Sequence, residues 1–251
     1  VVVGEDAGGV EVIRLVLGHG EDPVTILAAR GWAVRRARDV TSHWGQKHVL
    51  AMTFVVEARA VGLHGPEVPP LPDDDLVPAD GEVPERYQRV AAYAVVTSRC
   101  GLLMTQLSER TNAEGQWGLP GGGLEADEAP DRAVLREVWE ESGQVIEVGE
   151  LATVHTSHWI GRAPSGRLED FHAVRLVFRA RCHAPTEPVV HDVGGTTAAA
   201  AWVPTSNLDG LDFAPGWRSL MSGVVMAPDQ AEGPERHEQD SDHDDGTRPQ
   251  P

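Results

Sequence analysis

The sequence predicts an α/β or α+β sandwich on a mixed sheet, and three features carry that prediction. Short β-branched stretches recur along the chain, as at His48–Ala58, Arg89–Thr97 and Phe171–Arg181. Among them stands one long helical pattern, Ala126 to Gly143, directly after a glycine-rich loop. Two breaks in composition set a small strand-rich unit before the main domain and an acidic tail after it. Strands mixed with few helices bury their apolar faces most simply as a sheet covered by helices.

The 251 residues, 41% hydrophobic and 24% charged, suffice for one or two domains with a real core. Two cysteines, Cys100 and Cys182, exclude a disulfide scaffold and a four-cysteine zinc site. The longest apolar runs, such as Val90–Val96, are too short for a membrane helix, so no membrane partner is expected. With no charged head and apolar stretch at the start, no signal peptide is expected, and a reducing cytoplasm is the simplest location. A net charge of −18 repels phosphate at long range, so nucleic acid is not an expected partner.

Residues 1–61 read as a small α/β unit of unknown role. Val10–Leu17 alternates like a strand, and Asp22-Pro23 fits a helix cap and first position. Val24–Trp32 then reads as a short helix ending near Gly31, and Val34–Val40 and His48–Ala58 as strands. Residues 62–85 form a stiff linker, with Pro66, Pro69, Pro70, Pro72, Pro78, Pro84 and Asp73-Asp74-Asp75. The main domain is placed at 86–226. Its strands are Arg89–Thr97, Leu102–Leu107, Leu151–Ile160, Phe171–Arg181 and Ala198–Val203, with a final helix in Leu211–Val225 that has Pro215 early in it. Residues 227–251 hold eight acids, two arginines and no Val, Ile, Leu or aromatic residue, a composition that predicts disorder.

The chemistry concentrates at Gly118–Glu125 and the helix after it. Asp127 is expected to cap that helix, with Glu128 and Pro130 in its first turn and Gly143 as its stop. At helical spacing Glu137, Glu140 and Glu141 share one face, and Leu135, Val138 and Trp139 are expected on the other, toward the core. Three crowded carboxylates repel one another unless a cation sits among them or water screens them. Mg²⁺ typically takes one or two carboxylates together with substrate phosphates. A glycine loop lets backbone approach such a cation or phosphate closely.

The spacing is specific. Gly122, five residues, Glu128, seven residues, then Arg136-Glu137-Val138-x-Glu140-Glu141-x-Gly143 resembles the Nudix box. One position departs: Gln144 stands where an aliphatic residue ends the pattern, with Val145 next. The chain is thus identified as resembling the MutT-like Nudix hydrolases over about residues 86–226. The resemblance implies a Nudix-type α/β/α sandwich with a mixed sheet. It also implies Mg²⁺-dependent (or Mn²⁺-dependent) hydrolysis of a nucleoside diphosphate linked to another moiety, such as a nucleoside triphosphate or a nucleotide sugar.

By the same resemblance, Glu137, Glu140, Glu141 and the carbonyl of Gly122 would ligate the metal. Glu137 or Glu141 would serve as base, Arg136 would orient the glutamates, and Glu128 would support the helix or the metal's outer shell. Glu169, Asp170, Glu187 and Asp192 are the alternative bases, each equally readable as a surface acid. Trp117 is a candidate base-stacking residue or a strand-end core residue, and Arg110, Arg162 and Arg167 are candidate phosphate contacts. His155 and His158, three apart in a strand, point to opposite faces and make a poor joint metal site. The expected partner is a small nucleotide, and a homodimer stays open. The competing reading is a Nudix-fold nucleotide-binding regulator without turnover; the intact box acids and an N-terminal unit that is strand-rich and acidic favour the enzyme.

Overall fold

The computed structural model describes residues 1–59, 71–72, 76–79, 81–163, 165–214 and 216–224. The acidic tail, Pro215 and most of the proline-rich stretch between 60 and 80 lie outside them.

The first unit contains β1 (Val2–Glu5), β2 (Glu11–Leu15), α1 (Pro23–Ala28), β3 (Trp32–His43) and β4 (Val49–Ala58). Its sheet runs β2-β1-β4-β3, with β1 parallel to β4 and the other pairs antiparallel. Asp22 caps α1 through the Thr25 amide at 2.8 Å, and Pro23 takes the first turn. The helix is shorter than its sequence suggests, because Trp32 already belongs to β3, paired with Ala58. Strand β1 was not anticipated: Val1-Val2-Val3 is short and lacks a turn signal before it, yet Val2 and Val3 are buried.

A larger sheet follows. It contains β5 (Leu71–Pro72), β6 (Glu85–Ser98), β7 (Gly101–Leu107), β8 (Trp117–Gly118), β9 (Gly121–Gly123), β10 (Glu147–Arg162), β11 (Leu168–Arg181) and β12 (Thr197–Val203). The strand order is β12-β7-β6-β11-β10-β5, with β8 on β7 and β9 on β6. Strands β6 and β11 run parallel from Glu85 opposite Glu169 to Thr97 opposite Arg181, while β10 and β11 are antiparallel, so the sheet is mixed as expected.

Alternation along the central strands separates two cores. Ala92, Ala94, Val96, Val174, Leu176 and Phe178 pack with Ala133, Val134 and Val138 of α2 (Pro130–Ser142). Val95 and Val177 face the other way, toward Trp217, Leu220 and Met221 of α3 (Trp217–Val224). The result is the expected α+β layering of helix, sheet and helix. The first unit adds to the first core: Val2, Leu27, Met52 and Phe54 belong to the same apolar cluster as Leu176 and Val134.

Candidate active site

Helix α2 is built from local signals, with one correction. Its N-cap is Ala129, without a side-chain cap, and Pro130 opens the first turn. Asp127 is not the cap; it sits in the left-handed region at φ 59°, in the turn that feeds the helix. Gly143 ends the helix left-handed at φ 66°, its N–H donating to the Trp139 carbonyl at 2.8 Å.

The faces of α2 also differ from expectation. Its buried stripe is Pro130, Ala133, Val134, Val138, Glu141 and Ser142. At about 100° per residue, Glu141 lies near the centre of that stripe. Trp139, two residues away, points to the opposite side; it is 50% exposed and stacks on His191 at 4.5 Å. The sequence reading gave Trp139 to the core on hydrophobicity, but the position belongs to the solvent side of the helix.

The carboxylates meet the glycine loop. Strand β9 pairs Gly122 with Ala92 and Gly121 with Tyr93, which lays the loop across α2. Glu141, only 7% exposed, accepts from the Gly121 N–H at 2.9 Å and from the Thr197 hydroxyl at 2.5 Å. Burial pushes its pKa up to about 7, against the pull of those two hydrogen bonds. Burial also raises Glu137, partly offset by Arg136. A Cβ on Gly122 would overlap the Glu137 carboxylate, so only glycine allows this approach. The Glu140 side chain is the more open of the three.

Arg136 ties the acids together. It meets Glu128 with Nε and Nη2, Glu137 with Nη1 at 2.9 Å, Glu140 with Nη1 at 3.1 Å, and the Gly123 carbonyl at 3.2 Å. Those bonds hold the Glu128 carboxyl below its usual range. Gln144, the departure from the aliphatic pattern, is buried and fully used. Its amide donates to the Ser142 carbonyl and Thr186 hydroxyl and accepts from the Thr186 N–H and the Cys182 thiol. Val145 is exposed in its place.

Of the remaining candidates, Arg110 and Asp192 lie on the Glu141 side, where Asp192 helps to raise the Glu141 carboxyl, and the others lie elsewhere. Trp117 packs at the edge of the second core, its backbone bonded to Asp212 and Ala214. Arg110 is exposed and lines a hollow with Asp192 and Thr197, the residue that bonds Glu141. Arg162 is paired with Glu82, and Arg167 with Glu169 and Glu85. Asp170 is engaged by His19 and His158. Glu187 and Asp192 are exposed.

Two residues near the loop escaped the sequence reading. Arg89 places its guanidinium against Gly123; its only signal was a cation at the start of a strand. Trp44, at the β3–β4 turn of the first unit, donates from Nε1 to the Asp127 carbonyl at 3.3 Å and stacks on His48. No local pattern foretold that this turn reaches the loop before α2.

The site is thus a helix bearing clustered carboxylates under a glycine loop, with one arginine tying Glu128, Glu137 and Glu140. The chain belongs to the NUDIX domain family, whose model matches residues 87–221. A MutT-like protein of Streptomyces ambofaciens is 47% identical over 92 residues, covering 37% of this chain and 51% of that protein. The chain thus spans about half the length of that relative. Nucleoside triphosphatase NudI of Klebsiella pneumoniae (strain 342) is 29% identical over 128 residues, 48% of this chain and 84% of that protein. Among solved structures, the MutT protein from Methanosarcina mazei Go1 has a TM-score of 0.42 at 22% identity, covering 53% of this chain and 89% of that one. The NUDIX domain of Shewanella oneidensis NrtR complexed with ADP ribose has a TM-score of 0.39 at 19% identity, covering 61% and 93%.

Proposed function

We propose that this chain hydrolyses a nucleoside diphosphate linked to another moiety, a nucleoside triphosphate or a nucleotide sugar, by attack of water on phosphorus. The observation that carries the reading is the contact of Glu141 and Glu137 with the Gly121–Gly122 backbone, with Arg136 tying Glu137 to Glu140 beside them. The donor set is all oxygen, which fits a hard cation such as Mg²⁺ or Mn²⁺. Glu137, Glu140, Glu141 and the Gly122 carbonyl are the groups that would hold it. Bound there, such a cation would neutralise phosphate oxygens and make water nucleophilic at neutral pH.

The chain's own residues supply the rest. Arg136 fixes Glu137 and Glu140 in position, and Glu128 fixes Arg136. Glu141, with a pKa near neutrality in the absence of a cation, is suited to take a proton from water. Arg89 stands beside the loop as a phosphate contact. Trp44, 58% exposed, offers a free ring face for a nucleobase. No helix among the described residues is long and apolar enough to cross a membrane. We place the activity in the cytoplasm, on small nucleotides.

The test is release of phosphate and pyrophosphate from a panel of nucleotides, dinucleotides and nucleotide sugars, with Mg²⁺ and with EDTA. Metal-dependent turnover of one class supports the proposal and names the substrate family. Silence across the panel, with metal-dependent binding of a nucleotide, would favour a nucleotide-binding regulator.

A further inference from the structure

A second cluster of metal-ligating side chains lies outside the box. Strand register assembles most of it. His158 of β10 stands directly opposite His172 of β11, and Asp170 is two residues before His172 on the same face of β11. The first unit contributes His19, from the loop that precedes α1. His19 Nε2 lies 3.0 Å from Asp170 Oδ1, and His158 Nε2 hydrogen-bonds the same oxygen. One ligand atom from each of His19, His158 and Asp170 falls within 4.8 Å of the others.

The three groups are also placed where one ion could take all of them. A carboxylate only accepts, so both rings direct an Nε2–H at one oxygen. Ligands of a tetrahedral ion with bonds of 2.0–2.1 Å stand ~3.3 Å apart; the His19–Asp170 pair already stands at 3.0 Å and all three atoms lie within 4.8 Å. A Cβ on Gly20 would overlap the His158 ring, so the backbone of the 18–21 turn is pressed onto that ligand. The side chains of His19, His158 and Asp170 each keep about a fifth of their surface exposed (17%, 18% and 18%), which leaves an entry path.

His172 supplies an independent observation. It is 0% exposed, and its rings' neighbours are His19 at 5.6 Å and His158 at 6.0 Å between centroids. Gln88 holds its Nδ1 at 2.8 Å, and the Glu21 backbone, from the same loop as His19, lies against the ring. A third imidazole buried behind the first two makes this an imidazole-rich pocket held by both the main sheet and the 18–22 loop. Arg86, 3.8 Å from the other Asp170 oxygen, is the charged group that opposes a cation here.

We propose that His19, His158 and Asp170 bind a late first-row divalent metal of the Zn²⁺ class, with His172 behind them, clamping the 18–22 loop to the main sheet. Imidazole donors select such ions, whereas the all-oxygen box selects Mg²⁺ or Mn²⁺. On binding, each ring's proton moves to Nδ1, or leaves if the ring was charged, and Nε2 turns its lone pair to the metal. Occupancy therefore falls in acid. The clamp joins segments 151 residues apart. It is independent of the hydrolase reading.

The test uses the full chain, stripped of metal and titrated with Zn²⁺ against a chromophoric chelator in excess Mg²⁺. The measurement is repeated in a Glu137→Gln/Glu140→Gln background. One equivalent of Zn²⁺ should bind in both. His19→Ala and His158→Ala should each weaken it by at least ~10-fold. Co²⁺ should give the visible absorption of a four-coordinate nitrogen and oxygen site, lost in the same variants. A Zn²⁺-induced rise in unfolding temperature should vanish with them. Should His19→Ala fail to fold, His19→Asn keeps a donor toward Asp170 and serves the same comparison. Equal Zn²⁺ affinity in the wild type and a folded His19 variant overturns the proposal. So does binding that disappears in the box variant alone.

Discussion

Arg136 grips Glu128 side-on, its Nε and Nη2 each 2.8 Å from a separate carboxylate oxygen. That fork leaves Nη1 free to reach both Glu137 and Glu140. A lysine keeps the charge but has no planar fork. Arg136→Lys should therefore lower kcat/KM by about 10- to 100-fold, as loss of a group that orients metal ligands typically does. Mg²⁺ titration of activity should show weaker metal dependence in the same variant. Wild-type kinetics in Arg136→Lys would remove orientation of the acids from its role.

Glu140→Gln and Glu141→Gln should each lose at least the ~10- to 100-fold typical of metal-site residues, with the protein still folded. Glutamine keeps one oxygen for the Gly121 N–H, and its amide can donate to the Thr197 hydroxyl oxygen once that hydroxyl rotates, so the Glu141 variant keeps its packing. Full activity in both, with Mg²⁺ supplied, would sink the site assignment. Circular dichroism of the variants guards against misfolding as the cause.

Glu141 makes a signed prediction for pH. Its folded pKa, about 7, lies above the unfolded value of 4.5. The folded state therefore favours the protonated form, and stability is lost as pH rises from about 4.5 through 7. The loss amounts to about 3 kcal/mol for one carboxyl. Denaturant unfolding of metal-free protein should show this slope, and Glu141→Gln should flatten it. Addition of Mg²⁺ should restore stability at pH 7 and above. An unchanged slope in Glu141→Gln would assign the pH dependence elsewhere.

Gly122→Ala should behave as a displaced ligand without a broken fold. The new Cβ would press on the Glu137 carboxylate, which is the movable end of a side chain. Activity should fall by about 10-fold or more while the unfolding midpoint changes little. Unaltered turnover would mean that Glu137 tolerates the shift and has no fixed place at the centre.

Trp44 and Trp117 should separate cleanly. Trp44→Ala should raise KM by about 5- to 150-fold with kcat nearly unchanged, since a lost base stack is worth about 1–3 kcal/mol. Trp117→Ala should instead destabilise the protein by about 2 kcal/mol or more, as its ring packs on the second core. Chain 1–226 should turn over like the full chain. The opposite pattern for the two tryptophans would return base recognition to Trp117.

The box was legible because its signals are local. Helical spacing brings Glu137, Glu140 and Glu141 near one another whatever the rest of the chain does. Gly143 stops the helix for the same kind of reason, a left-handed φ that glycine adopts freely. Where local reasoning used hydrophobicity without orientation it erred. Hydrophobicity points Trp139 to the core and Glu141 to the face opposite it, whereas Glu141 is buried and Trp139 is half exposed. Their burial is set by the sheet and loop against α2, which no window of the sequence contains.

The sequence by itself determined the family, the box and its helix, and the main strands, since each rests on period, turn chemistry or spacing within a few residues. The tertiary structure alone decided that β1 closes beside β4 and that Trp44 meets Asp127 across 83 residues. It also decided that His158, set aside from the sequence because His155 faces away, has partners in His19, Asp170 and His172. Strand register and the docking of one sheet on another choose those partners. Both are long-range outcomes of shared apolar burial, and a one-residue slip would send every one of those side chains to the other face.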